Sequence, residues 1–380
     1  MRENQLNIGV LTFPIGESGN VPLSNLVEIL SLLTKELHVV TGGAGYSSLV
    51  GNGAIHLHGV EHTKGARNSL FRIKNYIWTQ LKISYELIKL SRTVDLWILS
   101  IGGEGLVLPI LTAKLLQKKV IIASAGSGFQ VAQAQKDSLA QISRLLQSIS
   151  YTMVDKIILY SERLVKEHSL QKYRGKISIA PRHIIDFDLF KTTKQLGDRD
   201  NCVGYIGSLN EAKGVPNFLE AVPRVLKEKS KLEFLIGGIG HLEEKIRASL
   251  EDWGLSGKVK LVGWIPHNEV PNYLNKLKLL VLPSYTEGLP NIILEAMACG
   301  TPVLATPVGA IPDVIEDGKT GFIMEDNSPD CIASNINRAL NHSSLEQISK
   351  NALALVEKKF TFGRVLERYE ELLSEFARRN

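Results

Sequence analysis

The chain has 380 residues, 44% of them hydrophobic and 22% charged, with 44 Lys+Arg against 39 Asp+Glu. That usage is globular and argues against wholesale disorder, and a net charge of +5 over this length argues against a dedicated nucleic-acid binder. The length suits two domains of ordinary size or one large one.

The first residues, MRENQLNIGVLTFPIGESG, carry a short apolar run after Glu3 that ends in Gly and Glu rather than in a small-residue cleavage site, so no signal peptide is expected. Seven β-branched, apolar runs follow one another in the first half: LNIGVLTF, LHVVTG, AIHLHGV, DLWILSI, KVIIASA, KIILYS and KISIAP. The stretch VDLWILSIGGEGLVLPIL, the nearest approach to a membrane span, is broken by Asp95, Glu104 and three glycines. Six more runs follow: CVGYIGS, LEFLIGG, KVKLVGW, KLLVLPS, TPVLATP and TGFIM. Between most of them lie stretches with helical spacing, such as VPNFLEAVPRVLKEK. Apolar runs alternating with helices predict parallel strands buried on both faces, covered by crossover helices. That is doubly wound α/β architecture, and it occurs twice. KTTKQLGDRDN, polar and strandless over 191–201, reads as the linker between the two domains.

In such folds ligands sit beyond the carboxyl ends of the strands, at helix N-termini. The most informative segment is therefore SYTEGLPNIILEAMACGTPVLATPVGAIPDVIEDGKTGFIM (284–324). Glu287 and Glu295 stand eight apart there, a spacing shared by Glu220/Glu228, Glu243/Glu251 and Glu367/Glu375, which read as solvated helix faces. Context separates the first pair. Glu287 precedes GLPN, a turn opening into a helix whose free N–H groups suit an anion or sugar hydroxyls. Pro290 suits the first helical turn. Glu295, one to two turns inside, is a bidentate acceptor for vicinal ribose hydroxyls. In YIGSLNEAKGVPNFLEA (205–221), Lys213 precedes Gly214 and can neutralise a diphosphate; an exposed Lys before a turn glycine is the bland alternative. LIGGIGHLEEKI lacks the last glycine of G-x-G-x-x-G, and so does the stretch at Gly126-Ser127-Gly128. After the first strand, Gly16, Ser18 and Gly19 form a candidate substrate loop.

Metal chemistry finds little support. Cys202, Cys299 and Cys331 share no short spacing, which also argues against a disulfide framework and fits a reduced, cytosolic setting. Asp186-Phe187-Asp188 has no His or further carboxylates beside it. His56 and His58 share a strand face with His62 in the loop beyond, and satisfied histidines are the simpler reading. No nucleophile elbow is present.

Residues 205–324 resemble glycosyltransferase family 4, retaining sugar-nucleotide-dependent transferases of GT-B fold, through IGSLNEAKG, GGIG, PSYTEGLPNIILEAMACGTPV and GAIPDVIEDGKTG. The match is strong over most of 202–340 and loose in the first half, through DKIILYSERLVKE and DFDLF. The resemblance implies two Rossmann-like parallel-sheet domains facing a cleft: an acceptor-side domain at 1–190, the linker at 191–201, a nucleotide-sugar domain at 202–360, and a final helix at 361–380 crossing back. It implies that Lys213 holds the donor diphosphate with Ser208 beside it, and that Glu287 contacts the transferred sugar as the catalytic residue. Gly288, Leu289, Pro290 and Asn291 would present amides, Glu295 would bind the ribose, and Gly263, Trp264 and Ile265 would flank the base. Gly16, Ser18, Gly19, Gly126 and Ser127 would face the acceptor.

The implied reaction moves a hexose-type sugar from a UDP- or GDP-sugar to a glycan or lipid-linked acceptor, with no metal or other cofactor. Two departures stand out: Ser208 where the family often has Arg, and Gly126-Ser127 where many members have His. They motivate one alternative, a non-catalytic nucleotide-sugar-binding module. A sugar-nucleotide epimerase would lack this donor segment, and a nicotinamide dehydrogenase would need the full glycine motif.

The charge is uneven. Residues 1–190 carry 21 Lys+Arg against 14 Asp+Glu, and residues 64–92 alone carry seven cations and one acid, Glu86. On a helix, Lys64, Arg67, Lys74, Lys82, Lys89 and Arg92 share a sector with Phe71, Trp78 and Tyr85, beside the stripe Leu70, Ile73, Ile77, Leu81 and Ile88. This pattern suits an anionic membrane interface, while a crossover helix with a solvated basic face is the simpler reading. The expectation is a cytoplasmic protein, peripheral at the inner face of the membrane, with no nucleic-acid partner.

Overall fold

The computed structural model describes residues 6–62, 69–124 and 139–377, with the side chains of Ser18 and Ser69 outside that description. Two α/β units result. The first runs to Ile184 and takes up the chain again at Gly363; the second is Ile185–Phe362.

All thirteen apolar runs form strands. In the first unit they are β1 (Ile8–Thr12), β2 (Leu37–Thr41), β3 (His56–Gly59), β4 (Leu96–Ser100), β5 (Lys119–Ser124), β6 (Lys156–Leu159) and β7 (Ile177–Ile179). They make one parallel sheet in the order β3-β2-β1-β4-β5-β6-β7. Every residue of β1, β2 and β4 is buried, the reason these runs show no polar alternation. The helix Phe362–Ala377 closes this unit's core with Val365, Tyr369, Leu372 and Leu373. Each such side chain contributes roughly 1.5–3 kcal/mol on burial.

The second unit holds β8 (Cys202–Ile206), β9 (Glu233–Gly237), β10 (Val259–Gly263), β11 (Leu279–Leu282), β12 (Val303–Ala305) and β13 (Phe322–Ile323), in the parallel order β10-β9-β8-β11-β12-β13. In each sheet the chain winds outward one way and then returns to wind the other. The reversal lies between β1 and β4 in one unit and between β8 and β11 in the other. A doubly wound sheet opens a crevice at such a point, beyond the carboxyl ends of the strands.

The stretch 191–201 is not a free linker. It lies inside the second unit, and the boundary falls earlier, at Ile184/Ile185. Its polarity serves internal bonds. Arg199 is buried and donates to the carbonyls of Leu274 (3.3 Å), Leu277 (3.1 Å) and Cys299 (2.6 Å) and to Thr301 Oγ1 (2.7 Å). Burial pushes its pKa down to about 10. Asn275 Nδ2 donates to the Lys191 carbonyl at 3.0 Å, and its Oδ1 accepts the Thr193 N–H at 2.8 Å.

Candidate functional site

The loops after β8 and β11 meet at the reversal of the second sheet. Gly214 makes the meeting close: its φ is +69°, and a Cβ there would stand 2.0 Å from the Pro283 carbonyl oxygen. The side chain of Asn210 accepts the Lys213 N–H at 3.1 Å and fixes the preceding turn. Lys213 is thereby aimed at the β11 loop, and its Nζ donates to both carboxylate oxygens of Glu287 at 2.7 Å each. Ser284 Oγ donates to Glu287 Oε1 at 2.7 Å. The Glu287 side chain is 7% exposed and that of Lys213 31%, so the ammonium is the part of this pair that solvent or a ligand reaches. Below it, the Tyr205 hydroxyl donates to the Ser208 carbonyl at 2.8 Å; burial, and secondarily the Glu287 charge, raises its pKa. Ser208 itself is exposed.

The turn after Glu287 is held from the other side by Gly309. Its φ is +59°, and a Cβ there would stand 2.2 Å from the Glu287 carbonyl oxygen. The Ala310 N–H donates to the Gly288 carbonyl at 2.7 Å. The helix is Asn291–Ala298. Pro290 is its cap, extended at φ −68° and ψ 127°, one position before the first helical turn to which the sequence assigned it, because ψ there is not yet helical. Leu289 is buried. Glu295, 6% exposed, lies more than one turn inside and is 2.9 Å from His267 Nε2. That hydrogen bond, against desolvation, raises the His267 pKa, with the charges of Glu295 and Asp186 adding to it. The sequence reading missed His267, although PHN directly follows the GWI of the β10 loop. At that loop Gly263 has φ +68° and Trp264 is 59% exposed. Ile265 is buried, facing Gly237 across a gap a Cβ would close to 2.6 Å. Trp264 is thus the member available to a ligand, and Ile265 is a packing residue.

In the first unit the corresponding reversal lies between β1 and β4. After β1, Gly16 faces open space, whereas Gly19 is buried against Ile15. Ser18's side chain, Gly126 and Ser127 lie outside the described residues. After β4, Ile101 sits at φ +43° and Gly102 at φ +81°. A positive φ at a β-branched residue is strained and marks sites whose surroundings over-determine the backbone. This turn delivers Glu104, 8% exposed, to Ser124 at the end of β5, whose hydroxyl donates to Oε1 at 2.5 Å. Burial pushes the Glu104 pKa up, against the Ser124 bond and the charge of Arg182. Arg182 is buried as well and donates to Ser100 Oγ at 2.6 Å. Sequence reading used Glu104 only as a break in an apolar run; a carboxylate directly behind two glycines at a strand end was its signal.

Residues 186–354 match the family model described as glycosyl transferases group 1. The match takes in nearly the whole of the second unit, Ile185–Phe362. Curated relatives include an amylovoran biosynthesis glycosyltransferase of Erwinia amylovora, 31% identical over 180 residues, covering 45% of this chain and 44% of that protein. A putative colanic acid biosynthesis glycosyltransferase of Salmonella typhimurium is 29% identical over 163 residues, 41% of this chain and 40% of that protein. The chain spans less than half the length of these curated relatives. Among solved structures, Anabaena HepE in complex with UDP and glucose superposes with a TM-score of 0.76 at 17% identity, over 97% of this chain and 99% of that one. A sucrose-phosphate synthase from Thermosynechococcus elongatus gives 0.78 at 17%, over 99% and 100%. The shared fold is GT-B, two parallel-sheet α/β units in one chain.

Proposed function

We propose that the protein transfers a hexose-type sugar from a nucleotide diphosphate sugar to a glycan or lipid-linked acceptor, with retention of anomeric configuration. The observation that carries this reading is the ammonium of Lys213, held 2.7 Å from both oxygens of Glu287 at the reversal of the second sheet. As the bond from the anomeric carbon to the diphosphate breaks, negative charge grows on the leaving group. The exposed side of Lys213 stabilises it from a fixed position. Glu287 orients the ammonium and stands by the transferred sugar. Gly288 to Asn291 offer backbone to phosphate and sugar, Glu295 takes the ribose hydroxyls, and Trp264 flanks the base. His267 holds Glu295 in place until the ribose arrives. Retention corresponds to attack of an acceptor hydroxyl on the face the diphosphate leaves, its proton passing to the departing phosphate oxygen.

The proposed transfer uses no metal, as the family resemblance implies. UDP is the first donor nucleotide to try, since HepE was solved with UDP and glucose. GDP is the second. A glycan acceptor follows from the colanic acid and amylovoran biosynthesis of the relatives. The strain at Ile101 and the open Gly16 support an acceptor position at the first unit's carboxyl-end loops. A thermal-shift panel of UDP, GDP and ADP with their sugars tests the donor: stabilisation by one nucleotide, lost in Lys213→Ala, is expected, and no shift with any of them opposes the reading.

The helix Ser69–Lys89 supports membrane contact more strongly than its sequence did. Its buried face includes Thr79, Gln80 and Ser84 beside Ile83 and Leu87, while Leu70, Phe71, Ile77, Trp78, Leu81, Tyr85 and Ile88 are exposed. Gln80 is inside because its Oε1 accepts the N–H of Leu108, at the start of another helix, at 3.0 Å. Lys74 and Lys89 are exposed on the same helix and Arg92 in the turn after it; Lys64 and Arg67 lie outside the described residues. Tyr76 turns inward to the Gly105 carbonyl, but a helix that exposes Phe71, Trp78 and Tyr85 and buries hydroxyls and an amide supports an interface reading over a solvated crossover. Among the described residues no helix is long and apolar enough to cross a membrane; the proposed contact is peripheral, at an anionic leaflet. Flotation with anionic vesicles at low salt is expected; absence of flotation there removes this part of the proposal.

A further inference from the structure

The amino end of the β2–β3 ladder carries a cluster the transfer reaction does not use. β2 and β3 pair in parallel with His38 opposite His56 and Val40 opposite His58. Paired residues of a parallel ladder share a face, and so do residues two apart. His38, His56 and His58 are therefore brought onto one side of the sheet. The rings of His38 and His56 stack at 4.7 Å between centroids, and those of His38 and His58 at 5.5 Å. Glu36, one residue before β2, puts Oε2 3.8 Å from His38 Nε2. One ligand atom from each of Glu36, His38 and His56 lies within 4.8 Å of the others.

Burial makes this arrangement specific. His38 is 6% exposed, and its Nε2 is a buried nitrogen without a hydrogen-bond partner. Its other nitrogen, Nδ1, is 3.3 Å from His58 Nε2. A proton on Nδ1 donated to His58 leaves the lone pair on Nε2, the nitrogen 3.8 Å from Glu36 Oε2, and His56, stacked on the same ring, turns from that stack to reach the same point. Metal-bound imidazoles are oriented this way: the nitrogen that does not bind the metal donates to a neighbour that fixes tautomer and ring plane. β3 is the edge strand of its sheet, His56 is exposed and Glu36 half-buried. The cluster thus has one fixed buried ligand and two outer ligands free to turn.

We propose that Glu36, His38 and His56 bind a divalent transition ion of borderline softness, Zn²⁺ first, with His58 positioning His38. Two imidazole nitrogens and a carboxylate oxygen form a three-ligand zinc set with a fourth, water-filled position. Tetrahedral bonds of about 2.0–2.1 Å put ligand atoms roughly 3.3 Å apart, so the outer two close by about 1 Å through side-chain rotation. The site lies at the amino ends of the strands, opposite the end where doubly wound sheets bind substrates. Its role is therefore structural, a clip joining the edge strand to β2.

The test uses the full chain without a histidine tag, stripped with chelator. Titration with Co²⁺ is expected to give a visible d–d band saturating at one ion per chain, and Zn²⁺ to compete it away and raise the Tm. His56→Ala and Glu36→Gln, both at accessible positions, lower affinity by about 10–100-fold and remove the Tm rise. His342→Ala, in the other unit, leaves both unchanged. Absence of the band, binding of several ions per chain, or equal binding in His56→Ala would overturn the proposal.

Discussion

Glu287 and Glu104 occupy matching places in the two units. Each follows the strand that adjoins the unit's first strand across the sheet's reversal, β11 beside β8 and β4 beside β1. Each side chain is largely buried, 7% exposed for Glu287 and 8% for the Glu104 residue. Their surroundings differ. Glu287 receives an ammonium on both oxygens and a serine hydroxyl. Glu104 receives the Ser124 hydroxyl, with Arg182 acting on it only as a nearby charge. The same topological position thus carries an ion pair in one unit and a carboxyl pushed toward its neutral form in the other. The difference follows from the adjacent loop: Lys213 closes in beside Gly214 after β8, while the loop after β1 carries Gly16 and Gly19 and no cation.

Three substitutions break or sharpen that contrast. The largest effect is expected for Lys213→Ala. Nucleotide release falls by about 10²–10³, the scale of losing one fixed stabiliser of developing charge. Stability also drops by about 1–3 kcal/mol, because Glu287 is left buried with only the Ser284 hydroxyl as a donor. Steady-state kinetics and thermal melts read these two losses separately.

Glu104→Gln comes next. The folded pKa of Glu104 is raised, so the folded state holds a proton that the unfolded state loses as pH climbs above the ordinary glutamate value. Wild-type stability then falls with rising pH until the folded pKa is passed. The amide does not titrate and still accepts from Ser124. The variant is expected to melt higher than wild type at pH 8, by about 1 kcal/mol, with the gap closing toward pH 4.5. A gap that widens on acidification contradicts the assignment.

The smallest effect belongs to His267→Ala. The His267 pKa is raised, so its bond to Glu295 contributes fully below the ordinary histidine value of 6.5 and is lost as pH rises through the folded pKa. Its side chain is 47% exposed, which limits the contribution to under about 1 kcal/mol. Melts at pH 6 and pH 9 should show wild type losing ground to the variant.

The strands and the loops after β8 and β11 were legible because their signals are local. Thirteen apolar runs announce thirteen strands, and Lys213-Gly214 and the Glu287/Glu295 pair announce themselves beside turns that open into helices. What stayed hidden arises where distant strand ends meet. Ser124 reaches Glu104 from twenty residues away, His267 reaches Glu295 from twenty-eight, and His38 joins His56 from the neighbouring strand. Period-2 reading placed His56 and His58 on one face but could not supply the third imidazole. Polarity misled at 191–201, where Arg199 spends its donors on buried carbonyls rather than on solvent. It misled again at Ser69–Lys89, whose polar residues include buried ones and whose aromatics face outward.

The central claim is that the Lys213–Glu287 pair is the donor end of a working transferase. Nucleotide release from UDP- and GDP-sugars, measured for wild type, Glu287→Ala and Glu251→Ala, tests it most directly. Glu251 stands eight residues after Glu243, repeating the Glu287/Glu295 spacing on a helix without the turn or the lysine. The account predicts turnover by wild type and Glu251→Ala and its loss in Glu287→Ala. Nucleotide binding without turnover by wild type, or undiminished release by Glu287→Ala, would contradict it.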